Sequence, residues 1–170
     1  GEPVRKRENL PALPYAELRG FMERLRDDPE GRGIAARAAE FLILTQVRVN
    51  EVCRATWDEI HLDPDKCPEA PVWKIPGHRM KGRKRHNTKP HWVPLSAQAV
   101  ELLNSLPREN GNPWVFIASR PDSQRVDNSS VGKLPARLGY DGVKLPKFTM
   151  HGMRATFGEW GFLKRIDYPK

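Results

Sequence analysis

"TMHGMRATFGEW", residues 149–160, is the stretch on which the reading of this chain turns. At helical spacing Met150, Met153, Phe157 and Trp160 form one apolar stripe, the ordinary mark of a helix laid on a core. His151 and Arg154 stand three apart beside that stripe, so both side chains leave the same side of the helix, one turn from each other. A short core-forming helix has no structural need for a guanidinium and an imidazole next to its apolar seam. Their pairing asks for a partner outside the helix.

Composition narrows the partner. Lys and Arg number 29 against 21 Asp and Glu, a net charge of +8 over 170 residues. A surplus of that size points to a polyanion, nucleic acid first and an anionic membrane second. The length suits one domain with a real core, and an apolar share of 38% with five Trp argues against disorder. Cys53 and Cys67 are too far apart for a CxxC motif and too few for a disulfide framework, so a reduced, cytoplasmic setting is expected. No signal peptide and no apolar run of membrane-spanning length is present, and no membrane partner is expected. Residues 1–9 are polar and read as a frayed or tag-derived start, with residues 10–170 as one domain. Gly1 and the closing "KRIDYPK", which holds no stop signal, read as the edges of a fragment.

The elements follow in order. "LPALPYAELRGFMERLRDD" predicts a helix from about Pro14 to Asp27, with Tyr15 among its core-facing residues. "IAARAAEFLILTQ" predicts a second helix whose FLIL run places it at the centre of the core. "RVNEVCRATW" turns and opens a third, with Asn50 as its N-cap. "WDEIHLD", "VWKIP" and "HWVPL" are short, β-branched or aromatic, and read as a small antiparallel sheet. "SAQAVELLNSL" is a helix capped by Ser96, "NPWVFIAS" is extended, and a weak helix ends near Leu138. The fold class is α+β, mostly helical, with one small three-stranded sheet inserted.

The charge is concentrated in "GHRMKGRKRHNTKPH", residues 77–91, between the second and third strands. This hairpin carries Arg79, Lys81, Arg83, Lys84, Arg85 and Lys89 and no acid. On a nucleic acid such residues gain affinity by counterion release and read little sequence. His78, His86 and His91 fit no common zinc spacing, and no metal is expected.

"LTQVRVNE" adds Arg48, in a turn after the most buried helix, with Glu51 three residues on. An arginine there is costly unless it is paired or faces an anion, and Glu51 can hold it in one pose. Arg48, Arg154, His151 and Lys81 make a set suited to phosphate, which guanidinium binds through two hydrogen bonds. A pentacovalent transition state needs such donors, and a lysine can protonate the leaving oxygen.

"TQVRVNE", "RMKGRKRHNTKPHWVPLS" and "HGMRATFGEW", in this order and at these intervals, resemble the catalytic domain of a tyrosine recombinase of the phage integrase family, in its bacterial prophage branch. The likeness runs from "LPALPYAEL" to "IDYP". It implies that Arg48 is the first catalytic arginine, that Glu51 supports it, and that Lys81 protonates the 5′-hydroxyl, with Lys84 and Lys89 as the alternatives. It implies that His151 and Arg154 complete the phosphate pocket, while Arg79, Arg83, Lys84, Arg85 and Lys89 contact DNA. In the family a tyrosine attacks the scissile phosphate and leaves a 3′-phosphotyrosyl bond, without metal or nucleotide cofactor.

Gln46 stands where many family members have glycine, a changed helix cap. The family's nucleophile lies well beyond its His-x-x-Arg pair, whereas here sixteen residues follow Arg154 and "DYP" matches an earlier turn. No nucleophile is therefore expected within these residues, nor activity of this piece alone. The resemblance implies double-stranded DNA attachment sites as partner and a location on the bacterial nucleoid. It also implies a tetrameric parent and a monomeric fragment. The alternatives are a catalytically inert DNA-binding module of the same fold and a domain like that of a type IB topoisomerase.

Overall fold

The computed structural model describes residues 11–27, 33–79, 89–118 and 124–164. Helices α1 (Leu18–Asp27), α2 (Ile34–Thr45) and α3 (Val49–Cys53) precede strands β1 (Ile60–His61), β2 (Val72–Ile75) and β3 (His91–Pro94). Then come α4 (Ala97–Ser105), α5 (Asn128–Gly132), α6 (Leu134–Arg137) and α7 (Met153–Leu163). The three strands form one antiparallel sheet in the order β1-β2-β3, with Ile60 opposite Trp73 and Trp73 opposite Val93. The α+β architecture read from the sequence is the one found.

Helix α2 is the centre of the core, as its apolar run predicts: Ala36, Ala38, Ala39, Phe41, Leu42 and Ile43 are all buried. Phe41 meets Trp73 of the sheet at 5.4 Å and Phe116 at 5.6 Å between ring centroids, so one side chain joins helix, sheet and the extended segment after α4. A second cluster forms where Phe21 of α1 meets Tyr140 and Phe148 edge-on. Glu40 is the buried charge of α2, and it accepts from Arg26 of α1 and from Arg37, which ties the first two helices together. Ser96 caps α4 by accepting from the Ala99 N–H at 3.3 Å.

Three local expectations are corrected. The first helix starts later: Tyr15–Glu17 form a 3₁₀ turn, and Tyr15 lies half-buried against Trp160 rather than in the core. Leu13, before the helix, is the fully buried residue there. The N-cap of α3 is Arg48, not Asn50, because Glu51 at the third helical position accepts from the Arg48 N–H at 2.8 Å. Finally, α7 begins at Met153, with residues 150–152 in the turn leading into it.

Gln46 ends α2 in the left-handed conformation, φ 56°, and its N–H closes on the Leu42 carbonyl at 2.8 Å. Its side-chain amide donates to the Ile43 carbonyl, so it serves as a cap in the place of glycine. A β-branched residue tolerates that backbone poorly and lacks the amide. Gln46→Ile is expected to destabilise the chain by about 1–2 kcal/mol, read by urea unfolding.

Candidate functional site

The elements place the sequence-predicted residues in two groups on one core. Val47 and Val52, on either side of the Arg48–Glu51 turn, belong to the same buried cluster as Met150 and Met153, on either side of His151 and Gly152.

The first group is built on the turn between α2 and α3. The left-handed Gln46 redirects the chain, Val47 is buried, and Arg48 emerges as the N-cap of α3. Glu51 is almost wholly buried, and its carboxylate meets Arg48 twice: the backbone N–H at 2.8 Å and Nη1 at 3.2 Å. The Arg48 side chain keeps 35% of its surface exposed. Its guanidinium is therefore fixed from the inside and presents its remaining donors outward, as a phosphate receptor requires.

Arg79, expected among the DNA contacts, is drawn inward instead, with 11% of its side chain exposed. Its Nη1 pairs with Glu59, and its Nη2 donates to the Glu51 main-chain carbonyl at 2.9 Å. The other oxygen of Glu59 accepts from Trp73 Nε1 at 3.0 Å. An unbroken set of polar contacts thus runs from the sheet through Glu59 and Arg79 to α3 and Arg48. The sequence reading missed Glu59. The signal available was an acid entering a strand with no cation one helical turn away, facing a strand that exits into arginine.

Lys81, Arg83, Lys84 and Arg85 lie outside the described residues. Arg79 is the last described residue before them, and exposed Lys89 the first after them. Across β2 and β3, near the end that leads to Arg79 and Lys89, Lys74 Nζ lies 4.2 Å over the ring of Trp92, an indole 43% exposed.

The second group is His151 with Arg154. Met150 and Met153 point into the core and are fully buried, while His151 and Arg154 are exposed. Among the described residues no side-chain hydrogen bond or ion pair engages either of them. Two cationic-capable groups on a rigid helix start, with their donors free, are ready for an anion.

Two residues of nucleophilic type, Cys53 and Tyr140, are buried. Burial pushes the Cys53 thiol up to about 12, so it stays protonated at neutral pH. Tyr140 is buried between Phe21 and Phe148, and burial raises its hydroxyl above the ordinary value. Tyr168 lies outside the described residues. Among the described residues no group of three or more His, Cys, Asp or Glu could hold a metal ion. None of their helices is long and apolar enough to cross a membrane.

The model of the phage integrase family matches residues 13–167. The integrase of Enterobacteria phage P4 is 32% identical over 144 residues, covering 80% of this chain and 31% of its own length. The prophage integrase IntZ of Escherichia coli K12 is 31% identical over 145 residues, covering 85% of this chain and 32% of its own length. The chain thus spans about a third of the curated relatives it matches. Among solved structures, the XerA recombinase superposes with a TM-score of 0.64 at 21% identity, over 99% of this chain and 55% of that one. A lambda integrase tetramer bound to a Holliday junction superposes with a TM-score of 0.64 at 14% identity, over 98% of this chain and 46% of that one. At those identities the structures establish a shared fold.

Proposed function

The chain belongs to the phage integrase family, and on that premise we propose that it is the catalytic domain of a site-specific DNA recombinase that integrates or excises a mobile element. The observation that carries the reading is Arg48: an arginine clamped from within by a buried glutamate and open outward, in the same domain as the exposed His151 and Arg154. Such a set binds a phosphodiester and stabilises the charge that grows on its non-bridging oxygens as a fifth ligand enters.

In the proposed reaction a tyrosyl oxygen bonds to the scissile phosphorus and the bond from phosphorus to the 5′-oxygen breaks. The tyrosyl proton passes to solvent, and the 5′-oxygen gains one from Lys81 in this reading, which solvent then reprotonates. One phosphodiester is exchanged for another, so the reverse attack by a 5′-hydroxyl reseals DNA without a cofactor. The buried Tyr140 is unsuited to attack, and we assign the nucleophile to a residue beyond these 170. The likeness to a lambda integrase tetramer bound to a Holliday junction supports DNA as partner; double-stranded attachment sites, a location on the bacterial nucleoid, a tetrameric parent and a monomeric isolated domain belong to the same proposal.

The test uses the longer protein, extended past residue 170, incubated in EDTA with a nicked duplex carrying its attachment site. The expected result is a protein–DNA adduct that survives denaturation and is absent from the Arg154→Ala variant. Intact DNA binding with no adduct on any candidate site would assign the domain to the inert DNA-binding class.

A further inference from the structure

Residues ahead of α1 run along α7 and the segment leading into it, and touch them at four positions. The Thr149 N–H donates to the Pro11 carbonyl at 3.0 Å. At Gly152 a Cβ would sit 2.8 Å from the Pro11 carbonyl carbon and closer still to its oxygen, so no larger residue fits while this segment is in place. The Thr156 hydroxyl, fully buried, donates to the Leu13 carbonyl at 2.6 Å. Glu159 Oε2 accepts from the Tyr15 N–H at 3.1 Å. Thr156 and Glu159, three apart, share one face of α7, while Thr149 and Gly152 lie in the segment that leads into it.

By helical spacing Thr156 and Glu159 leave α7 roughly opposite Arg154, and buried Met153 lies between them, turned into the core, with buried Met150 in the turn before it. Among the described residues, the turn at Tyr15–Glu17 is the element that α7 packs against most closely. A helix held by apolar contacts on one side can still rotate and slide by fractions of an ångström, because dispersion has no direction. Directed hydrogen bonds to a second side remove that freedom. Gly152, set between His151 and Arg154, is where the two requirements meet.

We propose that Pro11–Tyr15 form a strap that sets the pose of His151 and Arg154, with Thr156 as its principal positioning residue and Glu159 as the second. The proposal rests on the recombinase reading above. Thr156 touches no DNA; its hydroxyl fixes the main chain of the strap to α7, and the helix start carries the two phosphate-facing side chains.

The test measures single-turnover adduct formation by the extended recombinase on two scissile groups. One is the ordinary phosphate. The other is a methylphosphonate, where a methyl replaces one non-bridging oxygen, so the ground state is neutral and the transition state carries one negative charge fewer for a guanidinium to neutralise. Thr156→Val keeps the shape and removes the hydroxyl; Thr156→Ser keeps the hydroxyl. On phosphate, Thr156→Val is expected to slow the adduct by about 10-fold at unchanged DNA affinity, and Thr156→Ser to recover it to within about 2-fold. On methylphosphonate the valine penalty should shrink to about 3-fold or less, since the misplaced Arg154 has less to do.

Equal slowing on both substrates would assign Thr156 to general stability and overturn the strap's role, as would a valine variant at the wild-type rate. Should Thr156→Val fail to fold, Glu159→Ala at the exposed end of the strap carries the same test, with about 3-fold slowing on phosphate and the same contrast between substrates. Wild-type protein that forms no adduct overturns the recombinase reading and the strap's role with it. A wild-type adduct with indifferent strap variants overturns the strap alone.

Discussion

Arg48→Lys is expected to lower the rate of covalent adduct formation by about 100- to 1,000-fold while leaving the domain folded and bound to DNA. The native guanidinium does two things at once. One edge holds Glu51 at 3.2 Å, and the exposed remainder faces outward. Lysine carries the same charge as a point on a flexible stem, so it can satisfy the buried Glu51 carboxylate or reach a phosphate, but not bridge the two with a planar fork. Because the charge beside Glu51 is kept, the variant should unfold within about 1 kcal/mol of wild type. Arg48→Ala is a poorer probe, since it leaves Glu51 buried with only its Arg48 N–H contact and mixes a folding defect into the chemistry. Adduct yield against time, with urea unfolding in parallel, separates the two. A lysine variant as fast as wild type would remove Arg48 from the phosphate site.

What the sequence made legible follows the range of the interactions. The apolar run of α2 announces a central helix because burial on every face leaves a compositional trace within a dozen residues. The Arg48–Glu51 pair and the His151–Arg154 pair are legible for the same reason, since partners three apart on a helix or its cap are neighbours by construction. Arg79 was not legible. Its acid lies 20 positions back across a sheet, and nothing near Arg79 in sequence distinguishes a strut from the other cations that follow it. The strap was hidden more deeply: Thr156 and Leu13 are 143 positions apart, and a threonine on a helix reads as neutral until its acceptor is known. Even the N-cap of α3 misled, because asparagine is the commoner cap while here Glu51 reaches back to the Arg48 N–H.

Glu59 carries the largest expected effect on folding. Glu59→Ala should cost about 3–5 kcal/mol, because it leaves the nearly buried Arg79 without its counter-ion. It also takes the Glu59 acceptor from Trp73 Nε1, an indole fully buried at the centre of the sheet. Tryptophan fluorescence during urea unfolding reads the loss as a lower midpoint at constant slope. The informative partner is Glu59→Leu with Arg79→Leu, which replaces the charged pair by apolar bulk. Such replacements are often neutral, so the double variant should regain about 2 kcal/mol or more over Glu59→Ala. The Glu51 carbonyl, however, loses the Arg79 donor in that variant, and the tie between the sheet and the Arg48 turn is gone. Folding restored with adduct formation still slow would mean that the pair is kept for geometry. Folding and cleavage restored together would make it a stabilising contact and nothing more.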